Sequence, residues 1–250
     1  MILRAKRIYY VTIYYVSWFF FGLVGLGLNI ACIFLLPLPG RKARSAGVRM
    51  AIRVLFDFWL KWLHASRVVR VRWHGFNEPL KTGKVYVANH PMLIDAPLLL
   101  ARLPNAVCIF KPSLMRNPVL GPAAIMAGYV SGDAGVDVIR DAAAKVAAGC
   151  SILIFPEGTR TAQGAAPGPF KPGFALIAAQ AKAPVQLIVL RSTPELTARG
   201  RPWWKVPSIM PARVEIALDR QWDYAEGRHA SALTTEIEQR LSTVLQTAVA

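Results

Sequence analysis

Two short segments of this chain carry side chains whose types and spacing could do chemistry. Residues 89–95 read NHPMLID, and residues 155–160 read FPEGTR. The first segment offers a histidine and an aspartate, which suit a base and the carboxylate that orients it. The second offers an acid, a glycine and an arginine, which suit a loop that binds an anion.

The histidine of the first segment is predicted to lie where a strand ends. Residues 84–88 read KVYVA, a short buried strand, and Pro91 fits the first position of a helix. On a continuous helix, His90 and Asp95 would point about 140° apart. With His90 just before the helix, its ring can fold back onto Asp95. An aspartate that accepts the Nδ1 hydrogen leaves Nε2 free to take a proton, as in the base half of a catalytic triad.

The second segment follows another predicted buried strand, residues 151–155. Pro156 ends this strand and a polar loop follows. Gly158 lets a ligand approach the backbone closely, and the planar guanidinium of Arg160 suits phosphate. Both segments are therefore predicted at the carboxyl ends of strands.

Strand-like and helix-like runs alternate along the chain after residue 67. The strands are predicted at residues 68–73, 84–88, 106–110, 151–155, 185–190 and 212–218, and a closing helix at residues 230–248. This alternation predicts an α/β fold, a layered domain with a mostly parallel sheet flanked by helices. We divide the chain into an N-terminal membrane segment with a basic helix (residues 1–67) and a catalytic domain (residues 68–250).

The N-terminal segment is predicted to associate with a membrane. Residues 8–36 contain no charged side chain, and such a helix could cross about 30 Å of hydrocarbon. Basic residues flank both ends, which favours both ends on the same face of the membrane. The glycines within residues 22–27 offer a place to bend. A single membrane helix and a helical hairpin that re-enters one leaflet both remain possible, and the hairpin is favoured.

The positive charge is concentrated beside this apolar segment. Residues 1–75 hold 12 Lys or Arg and one acid, so 12 − 1 = +11 of the formal net charge of +16. Apolar and basic residues alternate at helical spacing over residues 45–67, as in an amphipathic helix at a membrane interface. The neighbouring apolar segment favours anionic lipid headgroups over nucleic acid as the partner.

The sequence gives no indication of a bound metal. Cys32, Cys108 and Cys150 stand apart in apolar contexts, without the paired spacing of a zinc site or a disulfide framework. They are predicted to be core cysteines in a reducing compartment. The histidines other than His90 lack partners at metal-ligand spacing and are interpreted as structural or surface residues.

The two segments in this order resemble the glycerolipid acyltransferase family, which contains the 1-acylglycerol-3-phosphate acyltransferases. The first block of the family is Asn-His-x-x-x-x-Asp and its third is Phe-Pro-Glu-Gly-Thr-Arg, and residues 89–95 and 155–160 match both. Residues 111–133 lie where the second block belongs, and residues 182–190 match the fourth. The resemblance covers residues 68–218.

This resemblance implies transfer of an acyl chain from a thioester, on coenzyme A or acyl carrier protein, to a hydroxyl. It implies that His90 is the general base and that Asp95 orients it. The implied substrate-binding residues are Glu157, Gly158, Thr159 and Arg160, of which Glu157 and Gly158 help to place the acceptor and Arg160 binds its phosphate. No cofactor is implied. The expected acceptor is a lysophospholipid, 1-acylglycerol-3-phosphate, which would give phosphatidic acid.

One departure from the family pattern concerns phosphate binding. The second block commonly carries an arginine after a glycine and two or three apolar residues, whereas residues 128–133 read GYVSGD. Lys111, at the end of a predicted strand, is the predicted partner of Arg160. The departure resembles divergent members of bacterial specialised-lipid clusters, such as those for aryl polyenes. An acceptor without glycerophosphate, such as a lyso-aminolipid, is therefore the alternative, and a non-catalytic membrane scaffold is a further one.

The resemblance and the N-terminal segment together imply a location. We expect the bacterial inner (cytoplasmic) membrane, with the catalytic domain facing the cytoplasm. The expected partners are membrane lipids, the lyso-lipid acceptor and acyl-CoA or acyl carrier protein.

Overall fold

The computed structural model describes residues 2–118, 120–132, 135–162, 164–194, 196–197, 199–200 and 202–247. The helices are α1 (Ile2–Leu35), α2 (Arg41–Ala65), α3 (Asp95–Leu100), α4 (Pro112–Met115), α5 (Gly121–Ala127), α6 (Val136–Ala147), α7 (Gly173–Ala181) and α8 (Ala230–Thr247). The strands are β1 (Val69–His74), β2 (Val85–Ala88), β3 (Ala106–Phe110), β4 (Val130–Ser131), β5 (Ser151–Ile154), β6 (Val185–Thr193) and β7 (Ala212–Trp222).

The strands form one mixed sheet in the order β1-β7-β6-β2-β5-β3-β4. Neighbouring strands are parallel except β6 and β7, which are antiparallel. All four residues of β2 are buried, as expected for a central strand covered on both faces. The predicted α/β fold with a mostly parallel sheet is confirmed. Strand β4 was not predicted, because two residues carry no readable alternation.

The central position of β2 brings the two chemical segments together. Strand β2 lies between β5 and β6, and Val87 of β2 is in register with Ile154 of β5. The two strands are parallel, so the loops that follow their carboxyl ends start side by side. These loops hold residues 89–95 and 155–160.

Helix α1 is one unbroken helix, so the favoured prediction of a bend within residues 22–27 is wrong. A glycine weakens a helix by only about 1 kcal/mol, and one face of α1 packs against α2 and α5. The chain instead reverses at residues 36–40, where Gly40 has a φ of +79°. Helix α2 then returns beside α1, since the ring of Trp18 lies 5.7 Å from that of Trp59 and the ring of Phe21 lies 5.9 Å from that of Phe56. The two helices form a helical hairpin, which differs from the predicted one because residues 8–35 all lie in its first arm.

One face of α1 is held against the rest of the protein. The indole N–H of Trp59 donates to the carbonyl of Ser17 over 3.0 Å, and both residues are buried. Further along the helix, the backbone N–H of Ala123 donates to Oδ1 of Asn29 over 3.0 Å. Asn29 is buried, and it supplies a side-chain acceptor to the first turn of α5, whose own N-cap residue supplies none.

The opposite face of α1 is apolar and exposed. By length and composition, residues 4–35 could cross a membrane. The exposed side chains include Ile8, Phe19, Leu23, Ile33 and Phe34, and Phe19 and Phe34 are each 72% exposed. Exposed aromatic and aliphatic side chains in such density are typical of a surface that contacts lipid or protein.

The division of the chain between residues 67 and 68 stays a prediction. The buried residues of α2 pack into the same core as the sheet.

We predict that Asn29→Ala destabilises the fold by about 1–3 kcal/mol, because the buried N–H of Ala123 loses its acceptor. The free energy of unfolding is measured by urea titration of both variants in one detergent. Asn77→Ala is the matched control, since Asn77 is exposed and its loss is expected to cost less than about 0.5 kcal/mol. Equal stability of the two variants would contradict the capping role of Asn29.

Candidate active site

The predicted pairing of His90 with Asp95 is present. Nδ1 of His90 lies 2.9 Å from Oδ2 of Asp95. The loop geometry differs from the prediction, since Pro91 is not helical and α3 begins at Asp95. The reason is that Oδ2 of Asp95 also accepts the backbone N–H of Met92 over 2.7 Å, which closes a turn before the helix. This turn brings the histidine ring back onto the carboxylate.

The carboxyl group of Asp95 is completely buried. Burial raises the pKa of Asp95 to about 6, while the hydrogen bonds from His90 and Met92 oppose that rise and the negative charge of Glu157 adds to it. Within the described part of the chain, Oδ1 of Asp95 has no hydrogen-bond partner. A carboxylate held on one oxygen only, and shielded from water, interacts strongly with the imidazole beside it.

The ring of His90 is fixed on its other side by Phe155. The two rings are stacked, with 4.1 Å between centroids and 19° between planes. The imidazole is 18% exposed, so it opens toward solvent or a ligand on one side only. Among the hydrogen bonds of the described residues, none occupies Nε2. This nitrogen is available to exchange a proton with a bound molecule when Nδ1 faces the carboxylate.

Asn89 anchors the backbone just before the histidine. Its side-chain amide donates to the carbonyl of Leu190 in β6, and its Oδ1 accepts the N–H of Leu190, both over 2.8 Å. The buried side chain thereby continues the sheet pairing after β2 has ended. Sequence reasoning gave Asn89 no role, although its presence in the motif was a signal.

Glu157 joins the two chemical loops. Its Oε1 accepts the backbone N–H of His90 over 2.9 Å, and its Oε2 accepts the hydroxyl of Thr161 over 2.9 Å and the N–H of Gly168 over 3.2 Å. The residue is buried, at 7% exposure. Both carboxylate oxygens already accept hydrogen bonds from the protein. Glu157 can therefore act on a bound acceptor substrate by holding the two loops in place. Its implied role in placing the acceptor stays a prediction.

The turn after Glu157 leads to the arginine. Gly158 has a φ of +67°, which favours glycine, and its N–H donates to the carbonyl of Phe155 over 3.0 Å. Thr159 and Arg160 are both partly exposed. One Nη of Arg160 donates to the carbonyl of Thr197 over 2.7 Å, and the guanidinium retains further donors for a ligand.

Thr197 is a residue of this site that the sequence did not reveal. Its hydroxyl accepts the backbone N–H of Leu93 over 3.1 Å, while its carbonyl binds Arg160. The side chain is buried and the backbone has a φ of +53°, which is strained for a β-branched residue. Thr197 therefore bridges the histidine loop and the arginine. It belongs to an irregular segment between β6 and β7, where no motif indicates it.

Lys111 lies at a different part of the same sheet edge. It follows β3, precedes α4 and is exposed. Strand β3 adjoins β5 on the side away from β2. Within the described residues, no hydrogen bond or ion pair joins Lys111 to the loop of residues 155–160. The role of Lys111 as the partner of Arg160 therefore stays a prediction. Asp133 of the second block lies outside the described residues.

The family model described as Acyltransferase matches residues 70–191 of the chain. This range holds both loops of the candidate site. It begins in β1 and ends in β6, so it covers the central strands of the sheet.

The chain is also similar to curated proteins from plants. It is 28% identical over 172 residues to a 1-acyl-sn-glycerol-3-phosphate acyltransferase from Cocos nucifera, covering 66% of this chain and 53% of that protein. It is 36% identical over 121 residues to the chloroplastic 1-acyl-sn-glycerol-3-phosphate acyltransferase BAT2 of Brassica napus, covering 46% of this chain and 35% of that protein. The chain thus spans about half the length, or less, of these relatives.

A solved structure shares the whole architecture. The 1-acyl-sn-glycerophosphate (LPA) acyltransferase PlsC from Thermotoga maritima matches with a TM-score of 0.75 over 97% of this chain and 98% of that chain, at 20% identity. This match supports the fold, including the N-terminal helices. Residues 70–191, which hold both loops of the site, match the acyltransferase family, and the chain is similar to acyltransferases of the 1-acylglycerol-3-phosphate type in sequence and in fold.

Proposed function

We propose that this protein transfers an acyl chain from a thioester to the free hydroxyl of a lysophospholipid, with 1-acylglycerol-3-phosphate as the acceptor and phosphatidic acid as the product. The observation that carries the proposal is the hydrogen-bonded pair of His90 and Asp95 beside the turn that bears Arg160. The similarity to plant proteins with that activity supports the choice of acceptor.

The pair supplies a base without a protein nucleophile. Nε2 of His90 takes the proton of the acceptor hydroxyl as the hydroxyl oxygen attacks the thioester carbonyl carbon. Asp95 holds the tautomer and stabilises the imidazolium. When the tetrahedral intermediate collapses, the carbon–sulfur bond breaks and the imidazolium returns its proton to the leaving thiolate. The acyl chain ends as an ester on the acceptor.

A cavity beside the N-terminal helices suits part of a lipid substrate. An apolar cavity of about 150 Å³ lies between α1, α2 and the end of β3, and it is lined by residues that include Phe21, Trp59, Phe110 and Ala124. Such a cavity suits part of an alkyl chain. The donor is an acyl group on coenzyme A or on acyl carrier protein.

We also propose that the protein works at the inner face of a bacterial cytoplasmic membrane. The exposed apolar face of α1 and the basic residues of α2 support this location. Membrane lipids are then neighbours of the protein, and the acceptor reaches the site from the lipid phase. The catalytic domain faces the cytoplasm, where the thioester donors are soluble.

The alternative acceptor is a hydroxylated lipid without glycerophosphate. The serine and glycine at residues 131–132, in place of the arginine of the second block, favour this alternative. A panel of lysophosphatidic acid, an uncharged lyso-lipid and a lyso-aminolipid, each with acyl-CoA and with acyl carrier protein, separates the two. Products are identified by mass spectrometry. Preference of the wild-type protein for an acceptor without phosphate would favour the alternative, and no transfer to any acceptor would favour a non-catalytic scaffold.

We predict that His90→Ala lowers turnover by at least about 100-fold, because general base catalysis is worth about 10²–10⁴-fold. Asp95→Asn should lose less, since it keeps the shape of the carboxylate and part of the orientation of the ring. Initial rates with one thioester donor measure both losses, and circular dichroism checks that the variants are folded. His64→Ala is the matched control, because His64 is exposed on α2. A His90→Ala variant with more than about a tenth of wild-type turnover would contradict the assignment of the base.

We predict that kcat/KM falls as the pH drops through about 6. Burial raises the pKa of Asp95 to about 6. Asp95 is charged above this pKa and neutral below it, and only the charged form stabilises the imidazolium. Activity is therefore expected to fall as the pH drops. The measurement is kcat/KM from about pH 5 to about pH 8. Constant wild-type kcat/KM down to about pH 5 would show that ionised Asp95 is not required.

We predict that Arg160→Lys lowers kcat/KM for lysophosphatidic acid by about 10- to 150-fold, because the planar donor pair to phosphate is lost. The loss should be much smaller for an uncharged lyso-lipid of equal chain length. Steady-state kinetics on both acceptors measure the difference. Equal losses on both would mean that Arg160 braces the loop through Thr197 and does not read the phosphate.

A further inference from the structure

Arg160 offers one positive charge to a bound phosphate, whereas a phosphate monoester carries up to two negative charges. One Nη of Arg160 is already occupied by the carbonyl of Thr197. The second block contributes no arginine at residues 128–132. A second cation that shares the phosphate would come from a different part of the chain, close to the turn that leads to Arg160.

The backbone of Lys171 is fixed against this turn. Its N–H donates to the carbonyl of Pro156 over 3.0 Å, and the N–H of Gly168 donates to Glu157 over 3.2 Å. Between them, Phe170 is buried and its N–H donates to Glu238 of α8 over 3.1 Å. The segment of residues 168–171 is thus held at its two ends and in its middle. Lys171 has a defined starting point for its side chain.

The side chain of Lys171 lies over Gly158. A β-carbon built on Gly158 would lie 3.2 Å from Nζ, 3.5 Å from Cε and 3.8 Å from Cδ of Lys171. The ammonium group therefore sits directly above the turn, where glycine leaves room for it. Gly158 is two residues before Arg160, and two residues of chain span at most about 7 Å. The ammonium group of Lys171 and the residue Arg160 therefore belong to the same turn.

The ammonium group of Lys171 has no partner within the described residues. Other cations of the chain do pair with acids, such as Lys61 with Asp57 over 2.7 Å and Arg240 with Asp219 over 2.7 Å. The nearest carboxylate along the chain, Glu157, directs both oxygens to other donors. Lys171 is exposed, so its charge is open to a ligand that approaches the turn.

We propose that Lys171 is the second cation of the acceptor site and binds the acceptor phosphate together with Arg160. The proposal rests on the proposed function for the identity of the acceptor. In this proposal, Lys171 replaces the arginine that the second block of the family commonly carries as a phosphate-binding residue. Lys111 is the competing candidate, and it follows β3, one strand further from β2 than the turn that Lys171 covers.

The test separates the effect of the positive charge of Lys171 from the effect of its side chain packing over Gly158. Lys171→Met keeps the aliphatic chain over Gly158 and removes the charge, whereas Lys171→Arg keeps the charge. Lys81→Met is the matched control, because Lys81 is exposed and precedes β2, at the opposite edge of the sheet. Lys111→Met tests the competing candidate. Each full-length variant is assayed in one detergent with lysophosphatidic acid and with a monoacylglycerol of the same chain length.

We expect Lys171→Met to lower kcat/KM for lysophosphatidic acid by about 10- to 150-fold, mainly through KM, and to change the monoacylglycerol reaction by less than about threefold. Lys171→Arg should retain most of the activity, and Lys81→Met should match the wild type. Equal losses on both acceptors would mean that Lys171 only braces the turn. A normal Lys171→Met with an impaired Lys111→Met would assign the second cation to Lys111. Either result overturns the proposal.

A binding experiment without a donor separates this proposal from the proposed function. Titration calorimetry with inorganic phosphate, on wild type and on Lys171→Met, measures the anion site directly. Weaker phosphate binding in Lys171→Met supports the proposal even if the wild type does not acylate lysophosphatidic acid, a result that would refute the proposed function alone. Unchanged phosphate binding, or no binding by the wild type, overturns the assignment of Lys171 whatever the acceptor proves to be.

Discussion

The geometry of the site depends on the hydrogen bond from the backbone N–H of His90 to the carboxylate of Glu157. His90 follows β2 and Glu157 follows β5, so this bond sets the distance between the base and the cationic turn. The same carboxylate binds Thr161 and Gly168 with its other oxygen. A buried carboxylate with three donors is well compensated for its loss of water, whereas a glutamine in its place would turn its amide N–H groups toward the donors on one of the two sides. The requirement for an acid at this position is therefore structural before it is catalytic.

Asp95 represents the opposite use of a buried carboxylate. One of its oxygens accepts from His90 and Met92, while the other has no partner among the described residues. The carboxylate of Asp95 is thus less well compensated for its burial, which raises its pKa. Unpartnered groups of this kind are tolerated where their interaction with a neighbouring charge is used. The two acids thus have different roles. Glu157 fixes the loops, and Asp95 is available to stabilise an imidazolium.

The features that the sequence predicted are those encoded within a few residues. The apolar run of Ala106–Phe110 was predicted at its observed bounds, because a continuous buried strand has a local signature. The pairing of His90 and Asp95 was likewise predictable, since both residues belong to one loop. Pro91 was predicted wrongly as a helix start, because the carboxylate of Asp95 binds the backbone of Met92 and moves the start of α3 by one turn. Residues such as Thr197 and Lys171 could not be predicted, because they reach the site through contacts between distant parts of the chain.

The N-terminal hairpin links the site to its surroundings through the same kind of distant contact. The buried bond of Ser17 holds α1 against α2, and that of Asn29 holds it against α5 of the catalytic domain, so these contacts set the orientation of α1 on that domain. A small cavity is lined by Tyr14 of α1 on one side and by Ile94 and Thr197 on the other, so α1 passes close to the histidine loop. If the exposed face of α1 lies in lipid, the orientation of the whole site relative to the membrane surface is set by these contacts. In the proposed function, a lysophospholipid then presents its headgroup to Arg160 while its acyl chain stays in the lipid phase, and it does not have to leave the membrane to react.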